Sequence, residues 1–511
     1  MLAVVKSVAL LGLEGRLVQV EVDVTNGLPG FDIVGLPDTS VRESKERVRA
    51  AIRNSGFEFP LKRITVNLAP ADLRKEGPHF DLPIAVALLA ATGQIMLKGK
   101  WAAAAYLGEL ALDGHIRGVA GVLPSVVVAK ANGVPGVVVP GVNGDEAALL
   151  QGLQVYAVES LNCLVSVIQG RSALEEHKAD IDELLMRSEG EAADFAEVKG
   201  QAMAKRALEV AASGGHNVLL LGTPGSGKTM LARRLPGILP RLSIEEALEV
   251  TKLYSIAGIL PADNPLITIR PFRAPHHNAS RSSMVGGGTI PRPGEISLAN
   301  NGVLFLDELP EYDRSVLESL RQPLEDGQVT ISRVNAALTY PSKFVLVASM
   351  NPCYCGFYGD PVKECTCSPH LVHRYMHKIS GPLLDRIDIQ LEVPRLEYGE
   401  LESGQKAETS HEIRERVEVA RRRQQQRLAG RGICCNAQMG VKEVREFCEL
   451  TREAVSLLKS AFDRLGLSAR VLERIKKVAR TIADLAGEES IQASHVAEAL
   501  QYRNLDRKYW G

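Results

Sequence analysis

The octapeptide Gly222-Thr223-Pro224-Gly225-Ser226-Gly227-Lys228-Thr229 limits what this chain can fold into more than any other segment. It completes the pattern G-x-x-x-x-G-K-T, with an apolar run at 217–221 before it and a helical pattern at 230–235 after it. A strand, glycine-rich turn and helix in that order point successive backbone N–H groups at phosphate oxygens, and the helix N-terminus favours the same negative charge. Lys228 reaches toward the β- and γ-phosphates, and Thr229 offers a hydroxyl to Mg²⁺. The expected ligand is a nucleoside triphosphate bound on an α/β sheet.

Residues 302–308 read Gly-Val-Leu-Phe-Leu-Asp-Glu, a run suited to a central parallel strand that ends in two acids. Downstream of a phosphate loop, Asp307 holds Mg²⁺ through its water shell, and Glu308 orients the attacking water. The pair suits hydrolysis of ATP better than transfer of its phosphate. A third strand at 344–349 leads to Asn351, placed to hydrogen-bond the γ-phosphate or the attacking water.

The rest of the 511 residues suggests a chain of several domains. Residues 1–170 form an α/β unit with strands at 17–25, 64–68, 106–112 and 136–140. Helices fall at 40–55, basic on one face, and at 82–91 and 125–132. A charged stretch at 171–194 reads as a linker. Strands alternate with helices through 195–395, the pattern of a doubly wound parallel sheet. Residues 396–511 carry only helical patterns. No run of eighteen apolar residues occurs and no leader is evident, so the expected location is the cytoplasm. A formal net charge of −1 gives no global attraction to nucleic acid, so any DNA contact must be a local patch.

Two further arginines are candidates for catalysis. Residues 380–389 contain Leu-Leu-Asp-Arg, in which Leu384 and Ile387 pack inward and Arg386 projects from the subunit edge. There it either reaches a neighbour's γ-phosphate or pairs locally with Asp385 or Asp388. Arg470, at the start of a helix, or Arg474 one turn later, approaches the nucleotide from the C-terminal helices.

Phosphate loop, acidic strand end, Asn351, Leu-Leu-Asp-Arg and Ser-x-Arg, in that order, resemble the AAA+ ATPases of the magnesium chelatase and MCM helicase branch. The phrases at 286–288, 293–297, 301–308 and 381–386 are similar to the ComM/YifB family almost throughout. That resemblance implies an all-α C-terminal lid and a homo-hexameric ring. It also implies a DNA-stimulated motor that drives branch migration when imported single-stranded DNA recombines. Acting on a protein partner, as a chelatase motor or remodelling ATPase does, is the alternative.

DNA has two candidate contact elements. The insert 270–297 carries Arg270, Arg273, His276, His277, Arg281 and Arg292 around three glycines, and 328–340 forms a hairpin around Arg333. The resembled branch places both at a central pore. The insert instead binds an acidic neighbouring subunit if its role is structural, and the basic run 421–427 reads as a solvated helix face. Cys353, Cys355, Cys365 and Cys367 form two C-x-C pairs nine residues apart, which either close a structural Zn²⁺ site, with His370 and His373 in reserve, or remain thiols.

Residues 21–141 resemble the proteolytic domain of Lon, a ribosomal S5 domain 2-like fold, at 106–114 and 116–121. His79 and Phe80 stand where its serine nucleophile would lie, and 121–125 lack the lysine base. The expectation is a non-proteolytic fold with His79 as a packing or capping residue.

Overall fold

The computed structural model describes every residue except 187–192, 289–291, 334–335, 396–406, 506–508 and 511, and gives only the backbone at 182, 186, 333 and 336. The chain forms two compact units. One holds Met1–Arg187, Ile244–Thr268 and Pro291–Pro293; the other holds Ser188–Ser243, Ile269–Ile290 and Gly294–Gly511.

The first unit is built on a seven-stranded mixed sheet. Its strands lie in the order Gly30–Val34, Arg63–Ala69, Glu14–Thr25, Leu2–Leu11, Ala105–Tyr106, Gly136–Pro140 and Gln154–Val158. Val18, Val20 and Val22 alternate inward along Glu14–Thr25, as the two-residue period of a strand with one covered face requires. Helix Thr39–Asn54 buries Val41, Val48 and Ile52, and the Asp38 side chain caps its first turn by accepting from the Val41 N–H at 2.7 Å. Helix Asp81–Ala91 is apolar on all sides and is the centre of this core.

The strand expected at 106–112 is broken into Ala105–Tyr106 and Glu109–Leu110. Gly108 turns the chain, donating to the His79 carbonyl, and a Cβ there would stand 2.8 Å from the Ile116 side chain. Helix Ile244–Ala257 folds with this unit although it follows the phosphate loop in sequence. A polar contact ties it there beside its buried Ala247, Val250 and Leu253: the buried Glu146 carboxylate accepts from Ser255 of that helix at 2.5 Å, from the Leu123 N–H and from Asn143. Burial nevertheless raises the Glu146 carboxyl above its ordinary range.

The second unit contains a five-stranded sheet in the order Phe272–Arg273, Val303–Leu306, Val345–Met350, Val218–Leu221, Ile389–Glu392, each neighbouring pair parallel. The three middle strands are buried at every residue, which explains why their sequences are continuous rather than alternating apolar runs. Chain order reverses at Val218–Leu221, so a crevice opens beyond its carboxyl end, and Gly222, Asp307 and Asn351 all emerge there.

From Ser410 onward the described regular elements are helices, with Ser410–Arg427 and Ala469–Ala486 sharing a core with Ala202–Gly214. The basic run 421–427 is only in part the solvated face expected: Arg422, Gln425 and Gln426 are exposed, while three of its arginines reach fixed partners. Arg421 donates to the Ala212 and Ser213 carbonyls at the end of helix Ala202–Gly214, Arg423 to the Asp484 carbonyl, and Arg427 to the Asp484 carboxylate. Cations close the unsatisfied carbonyls of a helix end, an interaction with long-range partners that a local charge run cannot reveal. Among the described residues no helix is long and apolar enough to cross a membrane.

Candidate functional site

Strand Val218–Leu221 delivers the phosphate loop and helix Lys228–Ile238 leaves it. Gly225 and Gly227 adopt positive φ angles of 80° and 89°. At Gly222 a Cβ would meet the Val393 carbonyl oxygen at 2.5 Å, so the loop fits only without side chains at these points. Lys228 is buried, with Nζ donating to the carbonyls of Gly222 at 2.7 Å and Thr223 at 2.9 Å and to Asn351 Oδ1 at 3.2 Å. Burial lowers its pKa, opposed by the nearby charges of Asp307 and Glu308.

Thr229 Oγ1 donates to Asp307 Oδ2 at 3.0 Å, joining the loop to the acidic strand. The other Asp307 oxygen accepts from Ser349 Oγ and from the Glu308 N–H. A hydroxyl and a carboxylate meeting in this way supply the hard oxygen donors that Mg²⁺ prefers, so the residues fit that ion. Glu308 occupies the left-handed region (φ 53°), a conformation that costs a non-glycine residue about 1 kcal/mol. A cavity of about 350 Å³ opens on this edge, lined by Thr229, Arg233, His276, His277, Asp307 and Glu308.

The expected basic insert is thus divided among different tasks. Arg270 is fixed to the carbonyls of Pro240 and Asn301, and Arg273 forms an ion pair with Glu295 at 2.6 Å. His277 Nδ1 stands 3.7 Å from Glu308 Oε2 and His276 lines the same cavity. Arg281 and Arg292 remain exposed. The hairpin Gln328–Arg333 with Ala336–Pro341 forms in the expected antiparallel register; its turn at 334–335 and the Arg333 side chain lie outside the described residues.

Arg386 does not project. Its side chain is 8% exposed, and the guanidinium donates to Glu325 and to the Pro382 carbonyl. Neither Asp385 nor Asp388 is its partner, because Asp388 belongs to Arg474 at 2.5 Å and to His216 at 3.1 Å. Arg474, one of the two arginines considered for the nucleotide, is therefore committed elsewhere. Arg470 is exposed in the first turn of helix Ala469–Ala486.

The four clustered cysteines come together. Their sulfurs all lie within 4.8 Å of one another, at 3.3 to 3.7 Å for the pairs among Cys353, Cys355 and Cys365. None is in a disulfide. Tetrahedral Zn–S bonds of about 2.3 Å place sulfurs roughly 3.8 Å apart, so the set fits Zn²⁺. His370 and His373 are outside the set, and His373 stacks on His377. This loop also touches the phosphate loop: a Cβ on Gly356 would meet Pro224 at 2.7 Å.

Sequence reasoning missed Gln201, Ser349 and the position of His277. Gln201 sits in the left-handed region at the start of helix Ala202–Gly214 and donates to the carbonyls of Ser226 and Pro394, bracing the phosphate loop from below. The signal was faint: a glycine followed by a glutamine at a helix start. In the first unit, His79 Nε2 lies 2.9 Å from the Val8 carbonyl, a packing contact of the kind expected.

A phosphate loop bridged to an acidic strand, with an asparagine on the strand between them, defines a nucleotide site of the AAA+ magnesium-chelatase class. Family models agree: magnesium chelatase, subunit ChlI, matches residues 194–401; subunit ChlI of Mg-chelatase matches 20–143; and the subunit ChlI C-terminal matches 407–503. Competence protein ComM of Haemophilus influenzae is 46% identical over 99% of this chain and 98% of its own length, and the uncharacterized protein YifB of Escherichia coli is 46% identical over the same shares. The magnesium-chelatase 67 kDa subunit of Heliobacterium mobile is 28% identical over 39% of this chain and 33% of its own length. The chain belongs to the ComM/YifB family.

Proposed function

We propose that this protein is an ATP hydrolase that assembles into a ring, a homo-hexamer, and moves along single-stranded or branched DNA without reading its sequence. In the cell it would act in the cytoplasm, driving branch migration as imported DNA recombines. The observation that carries this reading is the Thr229–Asp307 bridge, with Lys228 and Asn351 meeting beside it. These four residues surround the place of a γ-phosphate and its Mg²⁺, and Glu308 stands next to them as the group that polarises water. Full-length similarity to a protein named for competence supports DNA as the track. The exposed Arg281 and Arg292 and the hairpin at 328–341 are its proposed contacts.

The proposed division of the chain is a Lon-like, proteolytically inactive domain at 1–170, a linker at 171–194, the ATPase core at 195–395 and a helical lid at 396–511. His79 held by a backbone carbonyl supports the loss of peptidase chemistry. Arg386 is proposed as the cation given to a neighbour's nucleotide once Glu325 releases it, and Arg470 as the lid arginine. Zn²⁺ is proposed for the four-cysteine loop, as structural metal.

A second reading, a motor acting on a protein partner, draws on the partial similarity to a magnesium-chelatase subunit. Hydrolysis measured with and without single-stranded DNA separates the two. Stimulation that Lys228→Ala abolishes supports the DNA motor, whereas hydrolysis indifferent to DNA favours the protein partner.

A further inference from the structure

Helix Thr39–Asn54 of the first unit places Arg42, Lys45, Arg49 and Arg53 at steps of three and four residues, which puts all four on one stripe. Lys62 and Arg63, where strand Arg63–Ala69 begins, add two more cations. All six are exposed, and among the described residues none has an ion-pair partner. The unit has acids within reach, yet Glu43 lies 3.9 Å from Arg47 instead, and Glu46 is the carboxylate that lines the recess beside the stripe.

An aromatic pair stands against this stripe. The Phe31 and Phe59 rings lie 6.0 Å apart, and the Arg49 and Arg53 guanidinium carbons each lie 5.7 Å from the Phe59 centroid. Both rings, with Lys45, Arg49, Leu61 and Lys62, line a recess of about 130 Å³. Leu61 is 72% exposed at its edge, an apolar side chain without cover.

Unpaired cations spaced along a helix suit a phosphate backbone, and a half-buried ring in a recess suits an unstacked base. A duplex offers the first and withholds the second. We propose that this face of the first unit is a second binding surface for single-stranded nucleic acid, made of residues other than the insert at 270–297 and the hairpin at 328–341. Phosphates run along Arg42, Lys45, Arg49 and Arg53, and a base enters the recess against Phe59. The proposal rests on the DNA-motor reading and extends it to a unit for which the nucleotide site gives no role.

The test is fluorescence anisotropy of a labelled oligothymidylate on the full chain without nucleotide, across a range of salt. Arg49→Gln with Arg53→Gln should weaken binding about tenfold and reduce the salt slope by about 1.4, near 0.7 for each phosphate that no longer meets a cation. Phe59→Leu, which keeps apolar volume but removes the ring, should weaken single-strand binding about fivefold or more with the salt slope and duplex binding unchanged. DNA-free ATP hydrolysis at the wild-type rate shows that each variant is folded. Wild-type affinity in both variants overturns the second surface and leaves the motor reading standing. Displacement of the oligonucleotide by polyglutamate as readily as by unlabelled oligothymidylate overturns it in favour of an acidic protein partner. A wild-type chain that binds no single strand overturns both readings.

Discussion

Arg386 and Glu325 form an ion pair in which the arginine is 8% exposed and the carboxylate 57%, so the acid caps the cation at the surface of its own protomer. If Arg386 serves a neighbour's nucleotide, as proposed, its internal partner has to release it on assembly. Arg386→Ala should lower the hydrolysis rate of the assembled protein by about 10³-fold or more while leaving ATP affinity near wild type. Glu325→Gln should raise the rate. Equal, small losses in both variants, accompanied by lower thermal stability, would reduce the pair to a structural contact.

Ser349 acts through Asp307. Its hydroxyl fixes one carboxylate oxygen while Thr229 fixes the other. If Asp307 holds Mg²⁺ as proposed, Ser349→Ala should raise the Mg²⁺ midpoint of hydrolysis by about 10- to 100-fold, the usual effect of losing a partner behind a metal-holding group. Titration of the rate with Mg²⁺ at saturating ATP measures it, and an unchanged midpoint would contradict the arrangement.

The cysteine loop should hold about one Zn²⁺ per chain, read by elemental analysis of the purified protein. Cys355→Ser with Cys365→Ser should remove it. Because Gly356 packs on Pro224, the same variant should also weaken nucleotide binding. Protein free of metal with unimpaired nucleotide binding would return the four residues to ordinary thiols.

Asp388 gives a pH prediction with a definite sign. Burial alone would raise its carboxyl, but Arg474 and His216 outweigh burial and hold it well below the ordinary range. A carboxylate with a depressed folded pKa contributes stability that is complete above its unfolded value of about 3.9 and is lost as pH falls below it. Denaturant midpoints should therefore drop between about pH 5 and pH 2 in the wild type. Asp388→Asn should lose part of that dependence and about 3–5 kcal/mol at neutral pH, since Arg474 is left without its acid. A flat profile in the wild type would contradict the assignment.

What the sequence reveals of this site is what one stretch of chain encodes by itself. Lys228, Thr229, Asp307 and Asn351 each follow a buried strand, and the sheet brings strand ends together, so their meeting follows from the pattern. The hairpin at 328–341 is equally local. Partners chosen across the fold are not legible. Glu325 for Arg386, Glu295 for Arg273, His277 for Glu308 and the Ala212 carbonyl for Arg421 are each set by packing between distant segments. Strand Leu2–Leu11 was likewise hidden, since its sequence lacks clean alternation and its pairing with Glu14–Thr25 defines it.

The central claim is that ATP hydrolysis at Thr229, Asp307 and Glu308 drives movement on DNA. A branched-DNA unwinding assay run on wild type beside Glu308→Gln tests it most directly. The wild type should separate the branch only with ATP and Mg²⁺, and the variant should bind both ATP and DNA yet leave the branch intact. A wild type that hydrolyses ATP at one rate with or without DNA and never moves the branch would contradict the claim.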